Sequence, residues 1–148
     1  MMIQTEIIIY RNRSVVFEHL VNPKKMRHWL EDFVTATSKT RIASQGPYVQ
    51  VIRTACSIEK IHGTVTQIIK DSKFSFSFST SLSRVTVHYE LFPHDGDAAT
   101  RLLAGEEILP ARFFAKLTAP VFERAARKRK AADLQRLKTY LDAGGDKP

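Results

Sequence analysis

The sequence has a single cysteine, Cys56, so an intramolecular disulfide and a zinc site with several thiolates are both excluded. No run of about 18 apolar residues is present, and we predict no membrane-spanning helix. The N-terminal stretch "MMIQTEIIIYRNR" has no basic region ahead of a long apolar run, so we expect no signal peptide. Together these absences favour a protein of the reducing cytoplasm.

Recognisable catalytic and metal-binding motifs are also missing. The six glycines form neither a GxGxxG pattern nor a phosphate-binding loop, and no serine lies in GxSxG. The histidines have no HExxH, Cys/His or facial-triad spacing; they are His19, His28, His62, His88 and His94. We therefore predict no metal site and no cofactor.

The composition is that of an ordinary globular protein: of the 148 residues, 43% are hydrophobic and 26% are charged. This length fits one domain, which we place at residues 1–143, followed by a short tail at 144–148. The formal net charge of +8 leaves an anionic partner such as nucleic acid or an acidic membrane open.

The first part of the chain predicts a strand and two short helices. "IQTEIIIYR" is rich in β-branched residues, as strands are. Ser14 is placed to cap the first helix, whereas Asn22 and Pro23 are typical of the start of a second one. Met26, Trp29 and Leu30 then share one helical face.

From Phe33 the hydrophobic pattern changes to period two, which predicts an antiparallel meander. The predicted strands lie at 34–44, 48–58, 61–70, 73–80, 84–93 and 100–109, with a turn at Glu59-Lys60 between the second and third. After Pro110 a helical pattern continues to about Asp142. We expect a kink or break at Pro120 and an end at Gly144-Gly145.

Three stretches carry a resemblance to a known family: "RSVVFEHLVNPKKMRHWL", "SRVTVHYELFPHDGDAATRL" and "LQRLKTYLD". The predicted elements follow the order strand, two short helices, six strands and a long C-terminal helix. With these three stretches in that order, the chain resembles the START-like or SRPBCC superfamily. The resemblance implies an α+β helix-grip fold, in which a bent seven-stranded antiparallel sheet, with two short helices after strand 1, wraps around a long C-terminal helix. Similar proteins bind hydrophobic molecules, including lipids, and some are polyketide cyclases or dehydratases.

The stretch "KFSFSFST" shows which face of the sheet is apolar. Strict alternation places Phe74, Phe76 and Phe78 on one side and the serines on the other. The same reasoning gives inner sets on the two neighbouring strands, namely Val85, Val87, Tyr89 and Leu91, and Ile61, Gly63, Val65 and Ile69. The C-terminal helix is the element long enough to cover this face.

That helix has bulky residues near both ends and alanines between them, at Ala125, Ala126, Ala131 and Ala132. Small residues in the middle would leave volume above the sheet for a ligand, unless the sheet bends inward and closes the gap. With the resemblance, this predicts a hydrophobic pocket lined by Trp29, Phe74, Phe76, Phe78, Val87, Tyr89, Leu102, Phe114, Leu117, Val121 and Ala125.

Few polar side chains are candidates for chemistry in such a pocket. Glu106 shares an alternation set on the last strand with Thr100, Leu102, Ala104 and Ile108. If this set faces inward, Glu106 could act as an acid or base or hold a ligand hydroxyl. The alternative is a solvated pair, Glu106-Glu107, at a fraying strand end. Tyr89 and Trp29 could contact ligand or serve packing alone, and Cys56 is expected to be a small buried hydrophobe.

Three functions are compatible with these features. The first is a carrier, sensor or sequestering protein for a small hydrophobic ligand. The second is a cyclase-like or dehydratase-like enzyme with Glu106 as its candidate catalytic residue. The third is anion binding through "RKRK" at 127–130, although these charges also fit the solvated outer face of a covering helix.

Overall fold

The computed structural model describes residues 1–36, 42–53, 57–80, 83–110 and 119–145. The predictions for Phe114, Leu117 and Cys56 lie outside these ranges. The described helices are α1 (Arg13–Val21), α2 (Pro23–Met26) and α3 (Ala119–Asp142). The strands are β1 (Met2–Ile9), β2 (Phe33–Ala36), β3 (Gly46–Arg53), β4 (Ile58–Ile69), β5 (Lys73–Ser79), β6 (Ser83–His94) and β7 (Ala99–Pro110).

The strands form one antiparallel sheet in the order β1-β7-β6-β5-β4-β3-β2. From β2 to β7 each strand pairs with the next along the chain, as short connections between strands require. β1 returns to pair with β7, where Ile3 lies opposite Glu106. The predicted α+β class, antiparallel sheet and C-terminal helix are thus confirmed.

Local side-chain chemistry sets the helix ends. The Asn12 side chain, not the predicted Ser14, caps α1 by accepting a hydrogen bond from the Val15 backbone N–H. Asn22 caps α2 as predicted, and Pro23 occupies the first turn. Pro120 is the second residue of α3 in the described part of the chain, and the predicted helix ahead of it, at 111–118, lies outside that part. At the other end Gly144 adopts a φ of 88° and ends the helix as predicted.

Two predictions about β3 and β4 are wrong. Glu59 and Lys60 do not form a turn but lie in β4, opposite Ile52 and Val51 of β3. The predicted inner position of Ile69 also fails, because the β4–β5 register shifts between Val65 and Gln67. A bulge of this kind reverses the alternation beyond it, so Ile68 packs against the core and Ile69 is exposed.

Gly63 allows β4 and β5 to approach closely beside this bulge. A Cβ at position 63 would lie 2.6 Å from the carbonyl oxygen of Ser77. Carbon and oxygen atoms that are not bonded do not approach so closely without displacing the backbone. Gly63 is therefore required by packing rather than by an unusual φ angle.

The core lies between one face of the sheet and the inner face of α3. Ala126, Leu134, Leu137 and Leu141 repeat at helical spacing and pack on the sheet with α1 and α2. The other three alanines of the central α3 segment are exposed, since they point away from the sheet. Within the described ranges, no helix is both long enough and apolar enough to cross a membrane.

Candidate functional site

A cavity of about 470 Å³ lies between the sheet and the first half of α3. Its volume falls within the range of about 300–1,000 Å³ that is usual for small-molecule sites. Apolar and polar side chains both contribute to its lining, which includes Leu30, Phe33, Gln50, Ile52, Phe76, Phe78, Val85, Val87, Tyr89, Ile108 and Phe122. Charged residues also line it, namely Asp32, Arg53, Glu59, Glu106, Arg129, Lys130 and Asp133.

Four of the predicted ligand-binding residues line this cavity: Phe76, Phe78, Val87 and Tyr89. They come from β5 and β6, whose register places Phe76 opposite Val87 and Phe78 opposite Val85. Phe76 and Phe78 are only partly buried and stack at 6.0 Å between ring centroids. The alternation in "KFSFSFST" therefore identifies a real wall of the cavity.

Three other predicted residues are buried in the core and do not reach the cavity. Trp29 and Phe74 lie directly behind Tyr89, with ring centroids 6.3 and 6.4 Å from it. The indole N–H of Trp29 donates to the His19 carbonyl, which satisfies its polar atom inside the core. Leu102 is fully buried in the same cluster, across from Leu91.

On α3 the predicted positions are displaced by one residue. Val121 is 75% exposed and Ala125 is exposed, so neither faces the sheet. The inward positions are Phe122 and Ala126, each one residue further along the chain. One residue rotates a helical position by about 100°, which is enough to move a side chain from the outer face to the inner one.

Glu106 lies in the middle of a strand rather than at a fraying end. β7 continues to Pro110, and Glu106 has Ile3 on one side and Val87 on the other. It is 7% exposed, so the solvated alternative is wrong for this residue. Its two carboxylate oxygens lie 3.6 Å from Arg129 and 3.5 Å from Lys130. The buried carboxylate is thus held by two cations of α3.

Lys130 is the most unexpected residue of the site, because it is a charged side chain on the inner face of α3 with 6% exposure. Its ammonium group donates a 3.1 Å hydrogen bond to the Tyr89 hydroxyl and lies 4.7 Å from the centre of that ring. Burial by itself would lower the pKa of Lys130, but the charge of Glu106, the hydrogen bond to the Tyr89 hydroxyl and the charge of Asp133 act in the opposite direction, and the pKa is raised. Lys130 is therefore an ammonium group at neutral pH.

Tyr89 is held in a fixed position by the same contacts. Burial raises the pKa of its hydroxyl despite the opposing effect of Lys130, so the phenol keeps its proton at neutral pH. A hydroxyl that accepts one hydrogen bond still has its proton to donate. Among the residues that the structure describes, none accepts that proton.

A second set of polar contacts fixes residues 29–32, which follow α2, against α3. Asp133 accepts hydrogen bonds from Arg136 and from the Glu31 backbone N–H, and Arg136 also donates to the Trp29 carbonyl. Arg129 lies 3.9 Å from Asp32 in the same segment. These contacts hold one rim of the cavity. Burial raises the pKa of Asp133, and the hydrogen bond from Glu31 and the charge of Arg136 partly counteract it.

The sequence pattern does not single out Lys130, because the basic run at 127–130 fits the outer face of a covering helix. A signal was nevertheless present, since Lys130 precedes Leu134 by four residues and Leu137 by seven. This spacing places all three on one helical face. Elsewhere in the run Arg127 pairs with Glu123 at the surface, at 2.9 Å, as expected of a solvated outer face.

No family model matches the sequence, and a search of curated proteins found no match. Similarity appears at the level of structure. The protein TTHA0849 from Thermus thermophilus superposes with a TM-score of 0.74 at 12% identity, covering 98% of this chain and 100% of that one. A START superfamily protein from Mycobacterium smegmatis gives 0.69 at 9% identity, covering 96% and 94%.

DynU16, a protein from the dynemicin biosynthetic locus, is also similar, with a TM-score of 0.70 at 14% identity. The match covers 97% of this chain and 48% of DynU16. At such low identities the likeness concerns the fold. In this chain a strand, two short helices, a meander and a long C-terminal helix follow one another. The chain therefore has a START/SRPBCC-like fold.

Proposed function

We propose that this protein binds a small hydrophobic molecule in the cavity between the sheet and α3, as a carrier, sensor or sequestering protein. The observation that supports this most is the aromatic and aliphatic wall formed by Phe76, Phe78, Val85, Val87 and Ile108 around a volume of about 470 Å³. Apolar side chains around a concave space of this size are typical of small-molecule sites. The cytoplasmic location and the domain at 1–143 stay predictions.

The test is direct binding of Nile red, a neutral apolar dye whose fluorescence rises in a nonpolar environment. We expect saturable binding with one molecule per chain. Val85→Trp should fill part of the cavity, because Val85 points into it from β6. This variant should weaken dye binding at least about tenfold, a change well above measurement error.

Thr86→Trp is the matched control, since Thr86 is the next residue of β6 and faces the opposite side of the sheet. It should bind the dye as the unchanged protein does. Circular dichroism and a thermal unfolding curve establish that both variants are folded. If both tryptophan variants bind equally well, the dye does not occupy the cavity, and the proposal fails.

A second candidate is a cyclase-like or dehydratase-like enzyme, and the position of Glu106 favours it. This carboxylate lies in the cavity lining with its oxygens near Lys130 and Arg129, so a bound molecule could exchange a proton with it. Glu106→Gln separates the two functions. Ligand binding should survive this substitution in both cases. A loss of catalytic turnover would identify an enzyme, because a carrier has no turnover to lose.

A further inference from the structure

The charged residues of the cavity do not share the basic character of the whole chain. The chain has a formal net charge of +8, yet the described residues that line its cavity include three cations and four acids. The cations are Arg53, Arg129 and Lys130, and the acids are Asp32, Glu59, Glu106 and Asp133. Within this described lining the cations do not outnumber the acids, so it offers no surplus of positive charge to an anionic ligand.

The buried part of this lining is already paired before any ligand binds. Lys130 lies 3.5 Å from Glu106, and Glu106 has Arg129 as a second partner at 3.6 Å. A carboxylate entering beside Lys130 would compete with Glu106 for the same ammonium group. It would also bring two negative charges together at a site where little water screens them. The arrangement disfavours acids.

A neutral oxygen acceptor meets a different situation. The Tyr89 hydroxyl accepts from Lys130, which leaves its proton without an acceptor in the described part of the chain. An ammonium group that donates to a hydroxyl oxygen polarises that hydroxyl and strengthens it as a donor. A carbonyl oxygen could accept this proton without adding a charge to the cavity. The rest of the molecule would then lie against Phe76 and Phe78.

We propose that the ligand is an uncharged, largely apolar molecule with a ketone-type or quinone-type oxygen, and that this oxygen accepts a hydrogen bond from Tyr89 with Lys130 behind it. This rests on the proposed binding function and adds the chemical class of the ligand. Tyr89 is here a residue that determines specificity, and Lys130 positions its hydroxyl.

The test compares three probes that share one ring system: acetylnaphthalene with a ketone, naphthoate with a carboxylate, and ethylnaphthalene with no oxygen. We expect acetylnaphthalene to bind about tenfold more tightly than ethylnaphthalene, as one good hydrogen bond to a buried donor allows. Naphthoate should bind no better than ethylnaphthalene. In Tyr89→Phe the ratio of ketone affinity to ethylnaphthalene affinity should fall to about one.

Tyr48→Phe is the matched control, because it removes a buried hydroxyl from a ring that packs beside Phe76 but outside the cavity lining. It should keep the tenfold ratio. A second measurement needs no variant: the infrared carbonyl band of bound acetylnaphthalene should move to lower frequency than in hexane. This band reports the hydrogen bond directly, even if Tyr89→Phe does not fold.

The outcomes separate the two proposals. If ethylnaphthalene binds but the ketone has no advantage, or its carbonyl band does not move, the ligand class is wrong while the binding function stands. Tighter binding of naphthoate would likewise overturn the class, in favour of an acid. If none of the three probes binds and Nile red does not bind either, the binding function itself fails.

Discussion

Lys130 and Tyr89 are 41 residues apart in sequence, yet the ammonium group of the first donates a 3.1 Å hydrogen bond to the hydroxyl of the second. The contact joins the inner face of α3 to the middle of β6. Both residues line the cavity, and both are almost fully buried. With Glu106 they form a buried polar cluster beside the apolar wall of the cavity, and this cluster gives the cavity its chemical character.

The Lys130–Glu106 pair should be strongly coupled energetically. Lys130→Met leaves the Glu106 carboxylate buried with Arg129 alone, and should lower the free energy of unfolding by about 3 kcal/mol. The double variant Lys130→Met/Glu106→Gln should lose much less than the sum of the two single changes, since it leaves no unpaired charge. Urea denaturation of all four proteins measures this coupling.

Arg127→Met provides the control within the same helix, because Arg127 forms an exposed pair with Glu123. Such surface pairs contribute about 0.3–0.5 kcal/mol. Additive losses for the Lys130 and Glu106 variants would contradict the coupling inferred from the structure.

Gly63 should not tolerate a methyl group. In Gly63→Ala the added Cβ would lie 2.6 Å from the Ser77 carbonyl oxygen, which belongs to the backbone and moves only with the strand. We expect a loss of about 2 kcal/mol in the free energy of unfolding, as for other overpacked sites. Gly105→Ala is the control, because its Cβ would have no heavy atom nearer than 3.8 Å. Equal losses in the two variants would show that strand propensity, not the close approach, decides the effect.

The phenylalanines of β5 should differ in their contributions to stability and binding. Phe74 is 1% exposed and packed on all sides, so Phe74→Ala should cost about 4 kcal/mol. Phe78 already borders an open volume, and Phe78→Ala should cost less than half of this while it changes the affinity for Nile red. Denaturation curves and dye titrations distinguish the two. A larger stability loss for Phe78→Ala than for Phe74→Ala would contradict a cavity beside Phe78.

Stability at alkaline pH should depend on Tyr48. Burial raises the pKa of its hydroxyl above the ordinary value of 10.0. Above about pH 10 the tyrosine therefore ionises in the unfolded chain before it does so in the folded one. The unfolded state then binds fewer protons, so stability falls as pH rises. Tyr48→Phe removes this contribution and should make the fall less steep.

Urea midpoints measured from neutral pH to above pH 10 provide the test. The contribution is fully present below the unfolded pKa and is lost as pH rises toward the folded one. The two proteins should thus differ by a constant amount near pH 7 and converge or cross in alkaline solution. Parallel curves over the whole range would contradict a buried Tyr48 hydroxyl.

Much of the fold follows from local patterns. The alternation in "KFSFSFST" determines that the three rings share a face, because successive residues of a strand point to opposite sides. Asn22-Pro23 and Gly144 mark helix ends by their own backbone and side-chain chemistry. The β4 bulge could not be predicted in the same way, since it depends on how two strands meet and leaves no clear mark in either.

The same distinction between local pattern and tertiary packing applies to the candidate site. The period and order of the sequence predict an apolar sheet face, a helix long enough to cover it, and the inward position of Tyr89. They leave Glu106 open between an inward position and a solvated strand end, and the burial of this residue in the fold decides for the first. The packing of the folded chain turns Phe122 and Lys130 of α3 inward in place of Val121 and Ala125, which the residue pattern alone does not show. The rotation of a helix is fixed by all its contacts at once. A lysine is buried there because Glu106 and Tyr89 are close enough to compensate its charge.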